Sequence, residues 1–333
     1  MANALAVWFN VALQVVQVTQ RQYKLYDAAL KIAFTLPALP LPPYYLMLFL
    51  FRFFSVWPLS ILHALGGALG WLVWAVSARY RAEFRVNVRQ AGIPFNTAKP
   101  AIAEAGRFVA ELPKLWMRPH SESCLGNVQF EGRNYAEAAF SQGRGVIFFG
   151  PHCGSFELGP QALAEIYGPI TAIYRPARKP WLAAIEKASR QRPQLTVVPA
   201  TLSGIRLMHK TLKSNHAVAL LTDQVPPEGL GVWAPFFGKP AYTMTLAARL
   251  ALQSGAVALP VSCERLPYGR GYVVKIWPAV PGLDGGAKSD LLAAVTRVNA
   301  AIEAIVRSQP GQYLWGYGRY KAPRQDAALK ATL

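Results

Sequence analysis

One short segment carries side chains that could transfer a proton: residues 145–157, which read GVIFFGPHCGSFE. His152 follows an apolar run that is typical of a buried strand, and a helix capped by Ser155 is expected to begin there. Reactive groups of α/β folds lie at the carboxyl ends of strands. We therefore expect His152 to act as a general base, with Glu157 reaching back from the first helical turn to fix the tautomer of the imidazole ring.

Two alternatives remain open at this segment. His152 could be a structural histidine whose ring nitrogens are satisfied within the core. Cys153 is a rival nucleophile, because a cysteine beside a base can carry an acyl thioester. Neighbouring side chains usually project in different directions, however, so we expect Cys153 to be a small packing residue.

Two further polar clusters stand at the ends of predicted strands. Arg175 lies in the sequence YRP, and Asp223 lies in the sequence TDQ. We expect Arg175 to hold a phosphate or to stabilise an oxyanion, and Asp223 to be a second polar residue for the substrate. A surface ion pair and a turn residue are their structural alternatives. No phosphate-loop pattern occurs, so a nucleotide site is not supported.

The elements that must position these residues alternate between strands and helices. Apolar runs predict strands at 145–149, 170–174, 195–199, 217–222, 256–263 and 271–280. Helical periodicity predicts helices at 155–167, 181–190, 202–213, 242–254 and 289–308. This alternation indicates an α/β fold, a layered and largely parallel sheet with flanking helices. Residues 79–140 are expected to be mostly helical.

A long apolar segment precedes this part of the chain. Residues 53–76 contain no Lys, Arg, Asp or Glu, and as a helix they would span roughly 36 Å, enough for a hydrocarbon core. Pro58 and the Gly66-Gly67 pair could instead divide the segment into two interfacial helices, and a buried core hairpin is a third interpretation. We expect the segment to be embedded in a membrane.

The predicted organisation has three parts. An N-terminal segment (1–43) ends in a proline-rich stretch, a membrane-embedded helical segment (44–78) follows, and the α/β domain (79–333) completes the chain. The arginines that follow residue 77 favour a cytoplasmic location for the α/β domain.

The composition and the net charge restrict the classes of molecule that the chain is expected to bind. The chain of 333 residues is 53% hydrophobic and 16% charged, and its 35 Lys+Arg against 17 Asp+Glu give a formal net charge of +18. Such a balance indicates an anionic partner, such as nucleic acid, an acidic carrier protein or an anionic lipid surface. The apolar segment and the lack of a nucleic-acid-binding motif argue against nucleic acid. Three cysteines without CxxC spacing indicate neither a disulfide framework nor a zinc site.

With these residues in view, the chain resembles the late acyltransferases of lipid A biosynthesis. This lauroyl/myristoyl family is part of the wider lysophospholipid acyltransferase group with a His-x4-Asp/Glu motif. The resemblance covers nearly all of the chain after residue 45. His152 and Glu157 occupy the motif, Arg175 stands in the YRP block, and Asp223 stands in an Asp-Gln or Asp-His block. The other similar blocks are APFFGKPAYT, RLALQSGAVALPV, QYLWGYGRYK, ELPKLWM and RVNVRQAGI.

The resemblance implies an enzyme of the bacterial inner membrane that faces the cytoplasm. It would transfer a fatty acyl chain from acyl carrier protein to a hydroxyl of a phosphorylated glycolipid, first of all a lipid A precursor, with no metal or bound cofactor. The sequence Gln224-Val225-Pro226 departs from relatives with further polar or acidic residues there. Another glycolipid, such as a mannosylated phosphoinositide, or a lysophospholipid therefore stays open as acceptor. A non-catalytic lipid-binding protein is disfavoured by the intact His152 and Glu157.

Overall fold

Five helices form the first part of the molecule. The computed structural model describes residues 43–177, 179–283 and 290–324, so the N-terminal segment expected at 1–43 lies outside the described residues except for its last position. The helices are α1 Pro43–Ser55, α2 Leu59–Val76, α3 Ala78–Gln90, α4 Phe95–Ala98 and α5 Ala101–Met117.

Strands and helices then alternate, as the sequence predicts from residue 145 onward, whereas strand β1 lies in the part that was expected to be mostly helical. The first elements are β1 Val128–Glu131, α6 Arg133–Phe140, β2 Val146–Gly150, α7 Gly159–Tyr167, β3 Ile170–Tyr174, α8 Pro180–Arg190, β4 Leu195–Pro199 and α9 Leu202–Lys213. They are followed by β5 Ala217–Leu221, β6 Gly231–Phe236, β7 Lys239–Met244, α10 Leu246–Ser254, β8 Val257–Arg265, β9 Tyr272–Ile276 and α11 Leu291–Ser308.

Seven strands form one sheet in the order β1-β9-β8-β2-β5-β3-β4. The five strands from β8 to β4 are parallel, whereas β9 runs antiparallel to β8. The predicted α/β class, with a central sheet flanked by helices, is thus confirmed. The separate β6–β7 hairpin corrects the helix expected from residue 242, because residues 242–244 pair with residues 231–233 of β6.

The sheet separates the hydrophobic core into two clusters, one on each face. Successive side chains of a strand point to opposite faces, and all five residues of β2 are buried. Ile147 and Phe149 pack in the cluster on one face, and Val146 and Phe148 pack in the cluster on the other. A strand covered on both faces is continuously apolar, which is why β2 stands out in the sequence.

Helix α2 lies along α5 instead of continuing α1. The chain turns at residues 56–58, so the apolar segment forms two helices, as Pro58 had suggested. Glycines allow close packing: a Cβ added to Gly106 would lie 2.0 Å from the carbonyl oxygen of Gly66 and 2.5 Å from the nitrogen of Gly70. Among the described residues, α2 alone is long and apolar enough to cross a membrane, and 28% of it is buried.

Helices α1 and α2 expose large hydrophobic side chains. Large hydrophobic side chains that are exposed on α1, on α2 and between them are Tyr45, Phe49, Phe53, Val56, Ile61, Leu65, Trp71, Leu72 and Val76.

A buried network of charges joins α2 and α5 to β8. Arg265 donates to both carboxylate oxygens of Glu111, at 2.8 and 2.7 Å, and to Glu104 at 2.6 Å. The His63 ring of α2 lies 3.0 Å from Glu111, and the Tyr272 hydroxyl donates to the same carboxylate. Burial raises the pKa of Glu111, but the charge and hydrogen bonds of Arg265, together with those of His63, outweigh it and lower the pKa to about 2.

Candidate active site

The sheet register brings His152 and Asp223 together. Strands β2 and β5 are parallel neighbours in which Gly150 pairs with Leu221, so each site residue follows its strand by two positions. Carboxyl ends of parallel strands meet at one edge of a sheet. His152 Nδ1 lies 2.6 Å from Asp223 Oδ1, and the His152 backbone nitrogen donates to Asp223 Oδ2 at 3.0 Å.

The environment of Asp223 favours its ionised form. Burial of the carboxyl group, only 3% exposed, raises its pKa. The charge of His152, two hydrogen bonds from His152 and the charge of Arg319 outweigh burial and hold the pKa of Asp223 below its ordinary value. A carboxylate so placed keeps the ring proton on Nδ1 and leaves Nε2 to accept a proton.

Glu157 does not occupy the place predicted for it. Its carboxylate accepts hydrogen bonds from Arg190, one of them at 2.9 Å from Nε, and from Trp116 Nε1 at 3.3 Å. Helix α7 begins at Gly159, with no side-chain cap, so Glu157 lies in a turn before the helix. The expected His152–Glu157 pair is therefore corrected: Asp223 is the carboxylate on the ring.

Gln224 and Phe156 complete the surroundings of the imidazole. Gln224 Nε2 lies 3.1 Å from His152 Nε2, so the amide donates to the nitrogen that must accept a proton. The Phe156 ring contacts the imidazole edge to face, with 4.7 Å between the ring centres. It also stacks on the Phe108 ring, with 4.2 Å between the ring centres. Sequence reasoning missed Gln224 as a site residue, although its place beside Asp223 was a usable signal.

Cys153 points away from the site into the core. Its Sγ lies 3.8 Å from both the backbone and the side-chain oxygen of Gln309. Burial raises the pKa of the thiol, which disfavours the nucleophilic thiolate. This burial supports the expected packing role.

Arg175 lies in the wall of a small pocket that is partly open to solvent. It follows β3 and is exposed. The other lining residues are Val225, Pro226, Pro227, Lys321 and Arg324. The two C-terminal cations were not singled out from the sequence, although Lys321 ends the block QYLWGYGRYK.

The C-terminal block QYLWGYGRYK is hydrogen-bonded to the segments that carry the site residues. The Leu314 nitrogen donates to the carbonyl oxygen of His152 at 3.1 Å. The Tyr317 hydroxyl accepts from the Val225 nitrogen at 2.9 Å, and the Tyr317 carbonyl accepts from Asn87 of α3 at 2.7 Å. Within the described residues, no three His, Cys, Asp or Glu side chains are grouped to hold a metal ion.

Comparison with known proteins finds a matching family model and several relatives. A family model described as bacterial lipid A biosynthesis acyltransferase matches residues 35–322. The chain is 29% identical over 192 residues to the lipid A biosynthesis palmitoleoyltransferase of Escherichia coli (strain K12) and 27% identical over 193 residues to the lipid A biosynthesis lauroyltransferase of the same organism. Each match covers 57% of this chain and 60% of the relative.

A mycobacterial relative is named for a different acceptor. The chain is 26% identical over 174 residues to the phosphatidylinositol mannoside acyltransferase of Mycobacterium tuberculosis (strain ATCC 25618 / H37Rv). This match covers 51% of this chain and 52% of the relative. The chain thus spans between about half and 60% of the length of these relatives.

Proposed function

The chain belongs to the bacterial lipid A biosynthesis acyltransferase family, and from this membership we propose that it transfers a fatty acyl chain from acyl carrier protein to a hydroxyl of a phosphorylated glycolipid. The observation that carries the proposal is the buried Asp223 carboxylate on the Nδ1 side of His152. The E. coli relatives support a lipid A precursor as acceptor, and the mycobacterial relative supports the alternative, another glycolipid. A lysophospholipid is the remaining alternative.

In the proposed reaction His152 is the general base. Its Nε2 takes the proton of the acceptor hydroxyl while the hydroxyl oxygen attacks the thioester carbon and forms the new C–O bond. The tetrahedral intermediate then breaks its C–S bond, and the departing thiolate takes the proton from the imidazolium. Asp223 orients the ring and stabilises its charged form without taking the proton. A positioned base contributes about 10² to 10⁴ in rate.

Gln224 must leave the ring for this reaction to start. Its amide donates to the lone pair of His152 Nε2, which is the position that the acceptor hydroxyl needs. Once displaced, the same amide would lie beside the reacting oxygen and could donate to the developing oxyanion.

Glu157 acts in this proposal as a positioning residue. Its ion pair with Arg190 holds the turn that contains Phe156, and Phe156 supports one side of the imidazole. The acidic residue of the His-x4-Glu motif would thus act on His152 through the turn between them.

The exposed apolar side chains of α1 and α2 support a membrane location. We assign residues 44–78 to a membrane-embedded segment with its exposed apolar side chains against lipid, because a soluble surface rarely exposes so large an apolar patch. The α/β domain, residues 79–333, would face the cytoplasm at the bacterial inner membrane, where an acylated acceptor presents its hydroxyl at headgroup level.

The test is acyl transfer to purified acceptors, with donors bound to carrier protein or to coenzyme A. Transfer to a lipid A precursor is expected, and mass spectrometry of lipids from a deletion strain should show the precursor that lacks this one acyl chain. Efficient transfer to simple lysophospholipids, with none to a lipid A precursor, would reject the first acceptor and favour the alternative. Absence of transfer to every acceptor would contradict the proposed activity itself.

A further inference from the structure

The Asp223 carboxylate has a hydrogen-bond donor besides His152. The two oxygens of this buried group accept from the ring and from the backbone nitrogen of His152. The hydroxyl of Tyr313, a residue that is 4% exposed, is hydrogen-bonded to the same carboxylate. A carboxylate offers about four lone-pair positions, and those of a buried one need partners within the protein. Tyr313 therefore supplies a third donor to the group that holds the catalytic ring.

The surroundings of Tyr313 keep its hydroxyl protonated. Burial and the negative charge of Asp223 raise the pKa of Tyr313 well above its ordinary value, and the charge of Arg319 opposes this rise without cancelling it. Because the phenol keeps its proton, the hydroxyl donates in this hydrogen bond and the carboxylate accepts. The Tyr313 ring is itself packed edge to face against Trp315, with 4.8 Å between the ring centres.

The backbone around Tyr313 is paired with the loop that carries the base. Tyr313 lies in a short antiparallel β-bridge with the loop that follows β2. The Leu314 nitrogen donates to the carbonyl oxygen of His152 at 3.1 Å, and the Gly154 nitrogen donates to the carbonyl oxygen of Gln312 at 3.0 Å. One short segment thus holds the backbone of the base and, through the Tyr313 hydroxyl, the carboxylate on its ring.

Gln312 anchors this segment to the end of β8. Its side-chain amide donates to the Arg265 carbonyl oxygen at 2.8 Å, and its side-chain oxygen accepts from the Arg265 nitrogen at 2.8 Å. Arg265 also belongs to the buried network of charges with Glu111. The segment is therefore attached to the core on one side and to the reactive loop on the other, as a group that positions another requires.

We propose that Tyr313 is a positioning residue for the acyl transfer, whose hydroxyl fixes the rotation of the Asp223 carboxylate and takes up part of its negative charge. The inference rests on the proposed function and adds a third residue to His152 and Asp223. A carboxylate that shares its charge with a phenol attracts the imidazole proton less strongly than one held by the imidazole alone. Removal of the hydroxyl should therefore strengthen the attraction of Asp223 for the protonated ring and loosen the orientation of the carboxylate. The charged or titratable groups that also act on Asp223 or Tyr313, and that stay in place in the variants below unless named, are Cys153, Tyr317, Arg319 and Tyr320.

A first experiment follows the ring of His152 without turnover. In the full chain in detergent, the exchange of the histidine Cε1 proton with deuterium is measured against pH by peptide mass spectrometry. In Tyr313→Phe the midpoint of the His152 exchange profile should rise by about half a pH unit or more, because Asp223 then attracts the ring proton more strongly. Tyr320→Phe is the matched control: it removes a hydroxyl that donates to the Phe236 carbonyl oxygen at 2.9 Å, and the midpoint should stay as in the wild type.

A variant with a stronger donor separates this effect from structural damage. When 3-fluorotyrosine replaces Tyr313, the more acidic phenol donates a stronger hydrogen bond to Asp223. The His152 midpoint should then move to a lower pH than in the wild type, opposite to the shift in Tyr313→Phe. Structural damage would not give shifts of opposite sign in the two variants. Any result other than opposite shifts would overturn the proposal, whether or not the protein transfers acyl chains.

A second experiment relates Tyr313 to the reaction. In the acyl-transfer assay, Tyr313→Phe should lower kcat roughly 10-fold with KM little changed, and it should move the acidic limb of the kcat/KM profile to higher pH. Tyr320→Phe should keep the wild-type rate and profile. A loss that is equal at every pH, with the acidic limb unmoved, would assign Tyr313 a structural role and overturn the proposal. Because the exchange measurement uses no substrate, absence of transfer by the wild type would contradict the proposed function and leave the result on Tyr313 standing.

Discussion

At the residue scale, the two ring nitrogens of His152 have different partners. A buried carboxylate holds Nδ1, and a neutral amide donates to Nε2. Because the amide donates, Nε2 carries the lone pair, which accepts this hydrogen bond, while the proton stays on Nδ1. A single tautomer of the ring thus satisfies both contacts.

The first prediction is that His152→Ala abolishes acyl transfer and leaves the fold intact. The ring lies in a loop after β2 with its side chain 16% exposed, so its removal takes away the base and little of the core. Turnover and circular dichroism of the purified variant are the measurements. Cys153→Ser is the control and should keep substantial activity, since its side chain faces Gln309. Near-normal turnover of folded His152→Ala would show that the base is another group.

The second prediction separates the two carboxylates. Asp223→Asn should lower kcat by roughly 10³- to 10⁴-fold and change its pH profile, because the amide favours the wrong tautomer and cannot stabilise the imidazolium. Glu157→Gln should lower kcat by roughly 10- to 100-fold through displacement of the turn, with the pH profile unchanged. A changed profile in Glu157→Gln, with a normal one in Asp223→Asn, would restore Glu157 as the partner of the ring.

Sequence reasoning located the reactive loop but not its carboxylate. His152 could be found because β2 is a continuous apolar run and the loop follows it directly. Asp223 lies 71 residues away, and only the order of strands in the sheet makes it a neighbour. A single sequence gives strand positions, whereas strand order depends on packing between distant segments.

At the element scale, the close packing of α2 against α5 depends on glycines, which have no side chain to hold the helices apart. We predict that Gly106→Ala destabilises the fold by about 1–3 kcal/mol, because the added methyl group would meet the carbonyl oxygen of Gly66 at 2.0 Å,. This cost exceeds the gain of about 1 kcal/mol in helix propensity. Thermal unfolding in detergent measures the change. Gly126→Ala, where no atom lies within 4 Å of the new Cβ, is the control.

The buried network gives a pH-dependent prediction for the same elements. The pKa of Glu111 is lowered from its usual value to about 2 in the folded state. Its ionised form therefore contributes stability above about pH 4.5, on the order of 3 kcal/mol, and this contribution is lost as the pH falls towards 2. The wild type should lose more free energy of unfolding than Glu111→Gln over this range, measured by chemical denaturation. Parallel losses in both proteins would contradict the assignment.

Element positions were predicted best where one local pattern decided them. Residues 170–174, 195–199 and 202–213 match their elements, because buried strands and amphipathic helices leave clear periodicities. The start of α7 and the β6–β7 hairpin were missed, since a turn after the site loop and a cross-strand pairing leave no such periodicity.

At the scale of the whole molecule, the apolar face of α1 and α2 leads to a prediction about location. We expect the protein to sediment with membranes and to be released by detergent and not by high salt, because salt screens charge and leaves apolar burial intact. Replacement of Phe49 and Leu65 by serine, both on the exposed side, should increase the soluble fraction while the fold persists. Complete release of the wild type by salt would show that attachment is electrostatic.

The sheet order also determines what a growing chain exposes during synthesis. β2 has β5 and β8 as its neighbours, and both are made later, so the run VIFFG leaves the ribosome with neither edge paired. An unpaired apolar strand of this kind is an aggregation hazard until its neighbours arrive. Yield on overproduction should therefore depend on translation rate and on chaperones that shield this strand, even for variants whose finished fold is as stable as the wild type.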